Sequence, residues 1–198
     1  AIDNERKYAL FNIIDKHFKG EDVDPEGLDI DLFGYQPAFD TFHTRSLIKI
    51  HDGCNNFCSY CLIPMVRGRA TSRNDKDIYD NIRQVVDHGF KEIVLTGVNM
   101  GRYQYQDVNF ENLIENILKI DDDFRLRISS IEPDNFSDKF LSLFENEKLA
   151  PHMHICLQSG AENTLKAMRR HYTASEFKKM CDRIKNAIPD FNITTDLI

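Results

Sequence analysis

Short apolar runs alternate with helical patterns along residues 45–198 of the chain. Five of the runs have the length and composition of strands: 46–50, 92–96, 125–129, 152–157 and 192–198. The run from Arg125 to Ser129 alternates apolar and polar residues, whereas the run from Glu92 to Thr96 is apolar throughout its centre, which is typical of a buried strand. The pattern therefore predicts five strands separated by other elements.

Between these runs, apolar residues recur at the spacing of one helix face. The positions, helix by helix, are Ile78, Ile82, Val85 and Val86; Phe110, Leu113, Ile114, Ile117 and Leu118; Phe140, Leu141 and Phe144; Leu165 and Met168; and Phe177, Met180, Cys181, Ile184 and Ile188. Ser137 is a predicted N-cap, and Thr173 with Glu176 forms a capping box before the last helix.

Strands that alternate with helices at this spacing indicate a parallel α/β sheet. Such a sheet either opens out or closes into a barrel, and a complete (β/α)8 barrel usually takes about 250 residues. The chain has 198 residues and its last residues lie within a predicted strand. We therefore expect a partial, open TIM-type barrel over 45–198 that is incomplete at its C-terminus.

Residues 1–44 have a different pattern. Tyr8, Phe11, Ile14 and Phe18 fit one helix, and acidic sequence with Pro and Gly follows as far as Tyr35-Gln-Pro37. We expect this part to be a linker and the remnant of a preceding domain, with the apolar helix face packed on the barrel or a neighbouring chain, or else poorly ordered.

Composition narrows the class of protein. The hydrophobic fraction of 41% suffices for a core, and no run approaches the roughly 20 apolar residues of a membrane span. We expect a soluble cytoplasmic protein without a membrane partner. The net charge of −7 is unlike that of a self-sufficient nucleic-acid binder. Basic residues do gather near the cysteines, at Arg67, Arg69 and Arg73, and again at 169–171.

Three of the five cysteines, Cys54, Cys58 and Cys61, lie in one short segment at C-x3-C-x2-C spacing. Structural zinc sites and ordinary ferredoxin clusters use four protein ligands. Three thiolates can hold three irons of a cubane cluster and leave the fourth open to a molecule with an amine and a carboxylate, such as S-adenosylmethionine (SAM). A zinc knuckle completed by His51, a disulfide fragment and unligated cysteines are the alternatives, which the odd cysteine count and the spacing disfavour.

The predicted strands end in polar or glycine-bearing sequence, and the carboxyl ends of parallel strands are where reactive groups gather. These ends are Thr96-Gly97-Val98-Asn99, Ser129-Ser130-Ile131-Glu132-Pro133 and Leu157-Gln158-Ser159-Gly160. Gly97 could let a ligand approach the backbone. Around a cysteine loop, the set is typical of a cofactor pocket.

Other candidates keep open interpretations. Cys156 and Cys181 are expected in the core. His152 and His154 share one strand face and favour a hydrogen-bonded structural role, while His51 favours a loop contact. Arg67 and Arg69 fit a loop anchor and an anionic-substrate contact equally well. Glu132 is either a strand terminus or a polar ligand.

Motifs over residues 42–198 resemble the radical SAM methylthiotransferases. They are, in order, Lys49–Cys54, Ile63–Pro64, Arg67–Arg69, Leu95–Asn99, His154–Gly160, Met168–Arg170 with Tyr172–Thr173, and Thr194–Ile198. Within that family, Thr44–Ser46 and Ile128–Pro133 look most like the branch that acts on threonylcarbamoyladenosine beside the tRNA anticodon.

The resemblance implies the catalytic core of an enzyme that adds a methylthio group to C2 of N6-threonylcarbamoyladenosine. Cys54, Cys58 and Cys61 would hold a [4Fe–4S] cluster that reduces SAM to methionine and a 5′-deoxyadenosyl radical. By analogy, Thr96, Gly97 and Asn99 would line the methionine end of SAM, and Ser130, Glu132 and Gln158 its ribose or carboxylate region. Phe57 or Tyr60 would shelter the cluster or touch adenine.

The family also carries an N-terminal domain with a second [4Fe–4S] cluster and a C-terminal β-domain that grips tRNA, neither of which matches this chain. An electron donor such as flavodoxin or ferredoxin is implied. We therefore expect the chain alone to be inactive in the full reaction. Another branch, acting on isopentenyladenosine tRNA or a ribosomal protein, and a non-catalytic iron–sulfur or zinc module remain the alternatives.

Overall fold

The computed structural model describes residues 2–34, 36–39, 42–133 and 136–198. Tyr35 of the predicted linker lies outside them. The strands are β1 Arg45–Asp52, β2 Thr71–Ser72, β3 Glu92–Gly97, β4 Gln104–Tyr105, β5 Val108–Asn109, β6 Arg125–Ile128, β7 Ser130–Ile131, β8 His152–Ile155 and β9 Asn192–Thr194. The helices are α1 Leu10–Phe18, α2 Ile63–Val66, α3 Asp75–Asp87, α4 Phe110–Leu118, α5 Asp138–Ser142, α6 Glu162–Ala167 and α7 Ala174–Ala187.

Parallel pairing dominates the sheet. β1, β3 and β6 pair in parallel, with β2 added antiparallel at the edge of β1, and β7, β8 and β9 form a second parallel group. A bridge between Leu126 and Leu149 and another between Gln158 and Leu197 extend the pairing. The sheet curls into a half-barrel, as the α/β pattern predicted.

The third predicted strand, residues 125–129, is observed as β6, which ends at Ile128, and a further short strand, β7, begins at Ser130. β6 pairs with β3, whereas β7 pairs with β8. The break at Ser129 therefore transfers the chain from one group of strands to the other, which allows the sheet to curve. Alternation along the sequence predicted the strand but carried no signal for this change of partner.

The two faces of the sheet differ in polarity because side chains alternate along each strand. On one face Ile48, Ile50, Ile93 and Leu95 are buried against apolar residues of α3 and α4. On the other face Arg127 bonds Glu92 at 2.6 Å, and Arg45 lies 3.7 Å from the same carboxylate. The helices thus cover the outside, and the ion pairs of Glu92 lie on the inner face of the half-barrel.

Residues 2–34 contact the carboxyl end of β1. Asn4 donates to Asp52 at 3.2 Å, and Lys49 donates to the carbonyl of Leu32 at 3.3 Å. Helix α1 forms as its spacing predicted, yet it buries none of its residues, and Phe11 and Phe18 are more than four-fifths exposed. The described contacts tie this segment to β1, while the division of the chain at residue 44 stays a prediction.

Candidate functional site

The three cysteines lie on the cysteine loop, residues 53–62, which follows the carboxyl end of β1. After the short helix α2 the chain returns as β2, which pairs antiparallel with the last two residues of β1. The backbone N–H of Cys54 donates to the carbonyl of Gly68 at 3.2 Å. The loop is therefore closed at its base, and its residues stand at the edge where the parallel strands end.

Asp52 anchors the base of the loop. Its carboxylate is fully buried, accepts from the Gly53 N–H at 2.8 Å, and pairs with Lys49 and with Arg67. Burial alone would raise the pKa of Asp52, but the bonds from Lys49, Gly53 and Asn4 hold that pKa at about 2. Arg67 is thus a loop anchor, the first of the two roles that its sequence left open.

Gly53 is required by the same turn. Its φ is +66°, and a Cβ at this position would lie 2.0 Å from the carbonyl oxygen of Arg69. Only glycine adopts this left-handed backbone without strain and has no Cβ that would clash.

Cys54 is the buried member of the triplet. Its Sγ accepts from the Asn56 N–H at 3.4 Å and from Asn99 Nδ2 at 3.8 Å. Asn99 has a left-handed backbone with φ of 52°, and its Oδ1 is buried with no hydrogen-bond partner among the described residues. A recess of about 490 Å³ opens here and is lined by Asn99 and His51 among others. An unpaired buried acceptor in a recess fits a ligand that donates a hydrogen bond.

Gly97 and Thr96 end β3 beside β1. A Cβ on Gly97 would lie 2.6 Å from the carbonyl oxygen of His51, so the close approach that requires glycine here is made by the β1 backbone. The Nδ1–H of His51 donates to the carbonyl of Val98, and burial lowers the pKa of this histidine. His51 is therefore a loop contact, as the sequence favoured. A role for Thr96 and Gly97 in cofactor binding stays a prediction.

Cys58 lies against a buried arginine. Arg170 Nη1 donates to Cys58 Sγ at 3.3 Å and to the Tyr60 hydroxyl at 3.5 Å, while Nη2 pairs with Glu132. The Arg170 side chain is only 3% exposed. Glu132, predicted as a strand terminus or a polar ligand, is thus the counter-ion of this arginine.

Ser59 also holds the loop to the C-terminal end of helix α6. The Ser59 N–H donates to the carbonyl of Met168 at 3.1 Å, and the Ser59 hydroxyl donates to the carbonyl of Ala167 at 2.8 Å. These carbonyls belong to the C-terminal end of α6, where helices leave acceptors free. The triplet is therefore positioned by strand β1 on one side and by α6 on the other.

The aromatic residues between the cysteines are partly exposed. Phe57 has a φ of 51°, and the Arg69 guanidinium stacks 4.6 Å from its ring centre. Tyr60 is 46% exposed. Ser130 and Gln158, further along the same edge, lie on β7 and after β8, where Gln158 has a φ of 70° and its backbone N–H donates to Asp196. Sheltering of a cofactor by these residues stays a prediction.

The other candidates have structural partners. His152 and His154 both bond the Thr194 hydroxyl at 3.2 Å, in agreement with a hydrogen-bonded role. Cys181 packs against the core as predicted. Cys156 was predicted in the core but lies beyond the end of β8, half-buried, because the strand stops one residue earlier.

Among the residues that the structure describes, no group of three or more His, Cys, Asp and Glu side chains is gathered closely enough to hold a single metal ion. A cubane cluster does not require such convergence, since each thiolate binds a different iron. Three N–H donors, from Asn56, Asn99 and Arg170, point at the sulfurs of Cys54 and Cys58. Such donors are the usual surroundings of cluster-bound thiolates, so the loop fits an iron–sulfur cluster.

Residues 48–198 match the family described as the radical SAM superfamily, and the chain belongs to this superfamily. Within it, the chain is similar to tRNA methylthiotransferases, as its motifs predicted. It is 40% identical over 166 residues to the threonylcarbamoyladenosine tRNA methylthiotransferase MtaB of Bacillus subtilis (strain 168), covering 82% of this chain and 37% of that protein.

A second branch is equally similar. The tRNA-2-methylthio-N(6)-dimethylallyladenosine synthase of Endomicrobium trichonymphae is 40% identical over 152 residues, covering 76% of this chain and 36% of that protein. The chain thus spans little more than a third of the length of these curated relatives. Percentage identity alone therefore does not separate the two branches.

Solved structures support the fold. The radical S-adenosylmethionine methyltransferase TsrM of Kitasatospora setae, solved with cobalamin and a [4Fe–4S] cluster bound, aligns with a TM-score of 0.63 at 16% identity over 76% of this chain and 30% of that one. The cobalamin-dependent S-adenosylmethionine radical enzyme OxsB aligns with a TM-score of 0.63 at 15% identity over all of this chain and 33% of that one. The predicted partial barrel is confirmed.

Reasoning from the sequence missed two groups that hold the loop. One is the pair of Asp52 and Lys49, which lies within the matched motif. The sequence signal for it was an acidic residue directly before Gly53 and Cys54. Arg170 also lay in a matched motif, but its partner Cys58 is 112 residues away along the chain. No local pattern connects these two residues.

Proposed function

We propose that this chain is the catalytic core of a tRNA methylthiotransferase that adds a methylthio group to C2 of N6-threonylcarbamoyladenosine. The observation that carries the proposal is the placement of Cys54, Cys58 and Cys61 on one loop at the carboxyl end of β1, with N–H donors aimed at the sulfurs of Cys54 and Cys58. The similarity to proteins of this activity supports the substrate class.

The cysteines and the residues at the strand ends would have different roles in binding the cluster and SAM. Cys54, Cys58 and Cys61 would hold a [4Fe–4S] cluster, which when bound supplies the electron that breaks a carbon–sulfur bond of SAM. The Oδ1 of Asn99 lies beside Cys54 and has no hydrogen-bond partner among the described residues, and it would accept a hydrogen bond from the amino group of SAM. Thr96 and Gly97 at the same strand end would complete that part of the recess, and Ser130 and Gln158 would serve the ribose side.

The requirements of the whole reaction extend beyond the triplet. Three of the five cysteines are in the loop, so a second cluster with three cysteine ligands needs cysteines from elsewhere in the protein. The electron would come from a small redox protein such as flavodoxin or ferredoxin. Because the thiols have to stay reduced, we place the protein in the cytoplasm. Within the part of the chain that the structure describes, no helix is long and apolar enough to cross a membrane.

The decisive experiment is anaerobic reconstitution with iron and sulfide, followed by electron paramagnetic resonance (EPR) of the reduced protein with and without SAM. We expect a cubane signal that shifts on addition of SAM. The signal should be lost in Cys58→Ala and kept in Cys181→Ala, a matched control at a cysteine outside the loop. A zinc-only site, or a cluster whose spectrum ignores SAM, would contradict the proposal.

The substrate is tested separately, with the full-length enzyme and two purified tRNAs. One carries N6-threonylcarbamoyladenosine and the other carries isopentenyladenosine. We expect the methylthio product, identified by mass spectrometry of the nucleosides, only from the first. A product from the second alone would move the protein to the dimethylallyladenosine branch, to which the chain is equally similar.

A further inference from the structure

Arg170 is a buried cation with an unusual set of partners. Besides Cys58, Tyr60 and Glu132, it donates from Nε to the Tyr172 hydroxyl at 2.9 Å and from Nη2 to the carbonyl of Cys156 at 3.4 Å. A guanidinium cannot lose its charge at ordinary pH, so a side chain that is 3% exposed needs this compensation. We call Arg170, Glu132, Tyr60 and Tyr172 the arginine cluster.

The end of helix α6 fixes where this arginine points. The Arg169 N–H donates to the carbonyl of Lys166, and the Arg170 N–H donates to the carbonyl of Leu165, both at 3.0 Å. Arg169, the residue before Arg170, has a left-handed backbone with a φ of 57°. These bonds define a Schellman motif, in which the residue after the left-handed position turns back along the helix. The same helix end receives Ser59 of the cysteine loop, so Arg170 is directed at that loop.

The remaining partners lock the guanidinium in place. The Tyr172 hydroxyl lies 2.6 Å from the carbonyl of Cys156 and 2.8 Å from that of Leu157, and burial raises the pKa of Tyr172 to about 12. The Arg170 guanidinium also lies 4.9 Å from the ring centre of Tyr172. With Nε and Nη2 held by Tyr172 and Glu132, Nη1 is left to face Cys58.

We propose that Arg170 is a positioning residue that fixes the Cys58 thiolate and raises the reduction potential of the cluster that this thiolate ligates. The inference rests on the proposed function. Reduction adds negative charge to an iron–sulfur cluster, and a buried positive charge that donates a hydrogen bond to a ligand sulfur stabilises the reduced state. Glu132 acts in the opposite sense, because its carboxylate offsets the same positive charge.

The test is a redox titration of the reconstituted protein, followed by EPR, in four variants. Arg170→Met should lower the equilibrium constant for one-electron reduction about tenfold, which is 59 mV for a one-electron couple. Arg170→Lys keeps the charge and should restore part of this loss. Glu132→Gln removes the opposing charge and should shift the potential upward. Arg169→Met, which removes an exposed neighbouring charge, should leave the potential unchanged.

The sign of the Glu132 effect separates tuning from simple support of the fold. If the arginine cluster only held the loop in place, Arg170→Met and Glu132→Gln would both break the ion pair and shift the potential in the same direction. That result, or a wild-type potential in Arg170→Met, would overturn the inference. If Arg170→Met assembles no cluster, the other two variants test the inference: Arg170→Lys should lower the potential and Glu132→Gln should raise it, and shifts in the same direction would overturn the inference. A wild-type protein without a cluster would overturn the proposed function and this inference together.

Discussion

At the scale of single residues, the cysteine loop is organised by its first residues as much as by its sulfurs. Asp52 gathers an amide N–H and two cations beneath the loop, and Gly53 provides the backbone turn that lets the chain pass the carbonyl of Arg69. Both residues are close to Cys54 in sequence, and neither offers a side chain to a cofactor. Their contribution is to place the first sulfur reproducibly.

Gly53→Ala should therefore destabilise the fold strongly. The added Cβ meets a backbone oxygen at 2.0 Å, and the backbone has a φ of +66°. Strain of both kinds should cost about 3 kcal/mol or more. Urea unfolding of the unloaded protein, followed by circular dichroism, measures this loss.

Gly68→Ala is the matched control, at a second left-handed glycine that lies between α2 and β2. Its φ is +78°, but an added Cβ would meet nothing within 4 Å. It should cost only about 1 kcal/mol, the preference of alanine against the left-handed region. Equal losses for the two variants would show that the clash with Arg69 carries no weight.

The residue scale also shows what the sequence could predict of the site. The spacing of Cys54, Cys58 and Cys61 indicated a cluster loop because ligands on one loop must be close in sequence. The pairing of Arg170 with Cys58 and Glu132 was invisible, since 112 and 38 residues separate them. Asn99 has a left-handed backbone, which the sequence Val98-Asn99-Met100 permits but does not require, so the sequence could not predict where its side-chain oxygen lies.

At the scale of elements, periodicity and capping predicted most of the helices and strands. Ser137, Asn74 and Asn109 each cap a helix with a side-chain oxygen, and Thr173 and Glu176 form both bonds of the predicted capping box. The short hairpin of β4 and β5 and the edge strand β2 were missed, because two-residue strands are too short for a period to show. The break at Ser129 was missed because partner exchange is a property of the whole sheet.

Thr173→Ala should shorten or loosen helix α7. It removes the hydroxyl that accepts from the Glu176 N–H at 3.1 Å, and the loss of such a cap typically costs about 1 kcal/mol. Ser175→Ala, at an exposed position in the first turn of the same helix, should change stability by less than about 0.5 kcal/mol. Chemical denaturation of both variants checks this, and a similar loss at Ser175 would assign the effect to the helix turn in general.

At the scale of the whole molecule, the five cysteines occupy unlike environments. Burial, reinforced by the charge of Glu132, raises the pKa of Cys156 to about 11, and burial also raises that of Cys181. Both thiols are therefore protonated over the ordinary pH range, and the thiolate is the reactive form. We therefore expect Cys156 and Cys181 to react slowly with thiol reagents.

Alkylation of the unloaded protein with iodoacetamide at pH 7.5 should consequently label Cys156 and Cys181 much more slowly than Cys58 and Cys61. The labelling rate of Cys156 should rise about tenfold per pH unit up to its pKa, since the thiolate fraction does so. Peptide mass spectrometry follows each site, and labelling in denaturant provides the control in which all five react alike. Native labelling of Cys156 as fast as Cys58 would contradict this environment.

The attachment of the cysteine loop to the end of α6 has a consequence for biosynthesis. Ser59 and Ala167 are 108 residues apart, so the loop cannot make its contacts with α6 until the ribosome has made the second of these residues. At 5–20 residues per second, that interval lasts roughly 5 to 20 s. Throughout this interval the nascent chain presents the cysteine loop without its contacts to α6, and delivery of iron and sulfide to the completed loop has to wait until α6 has been made.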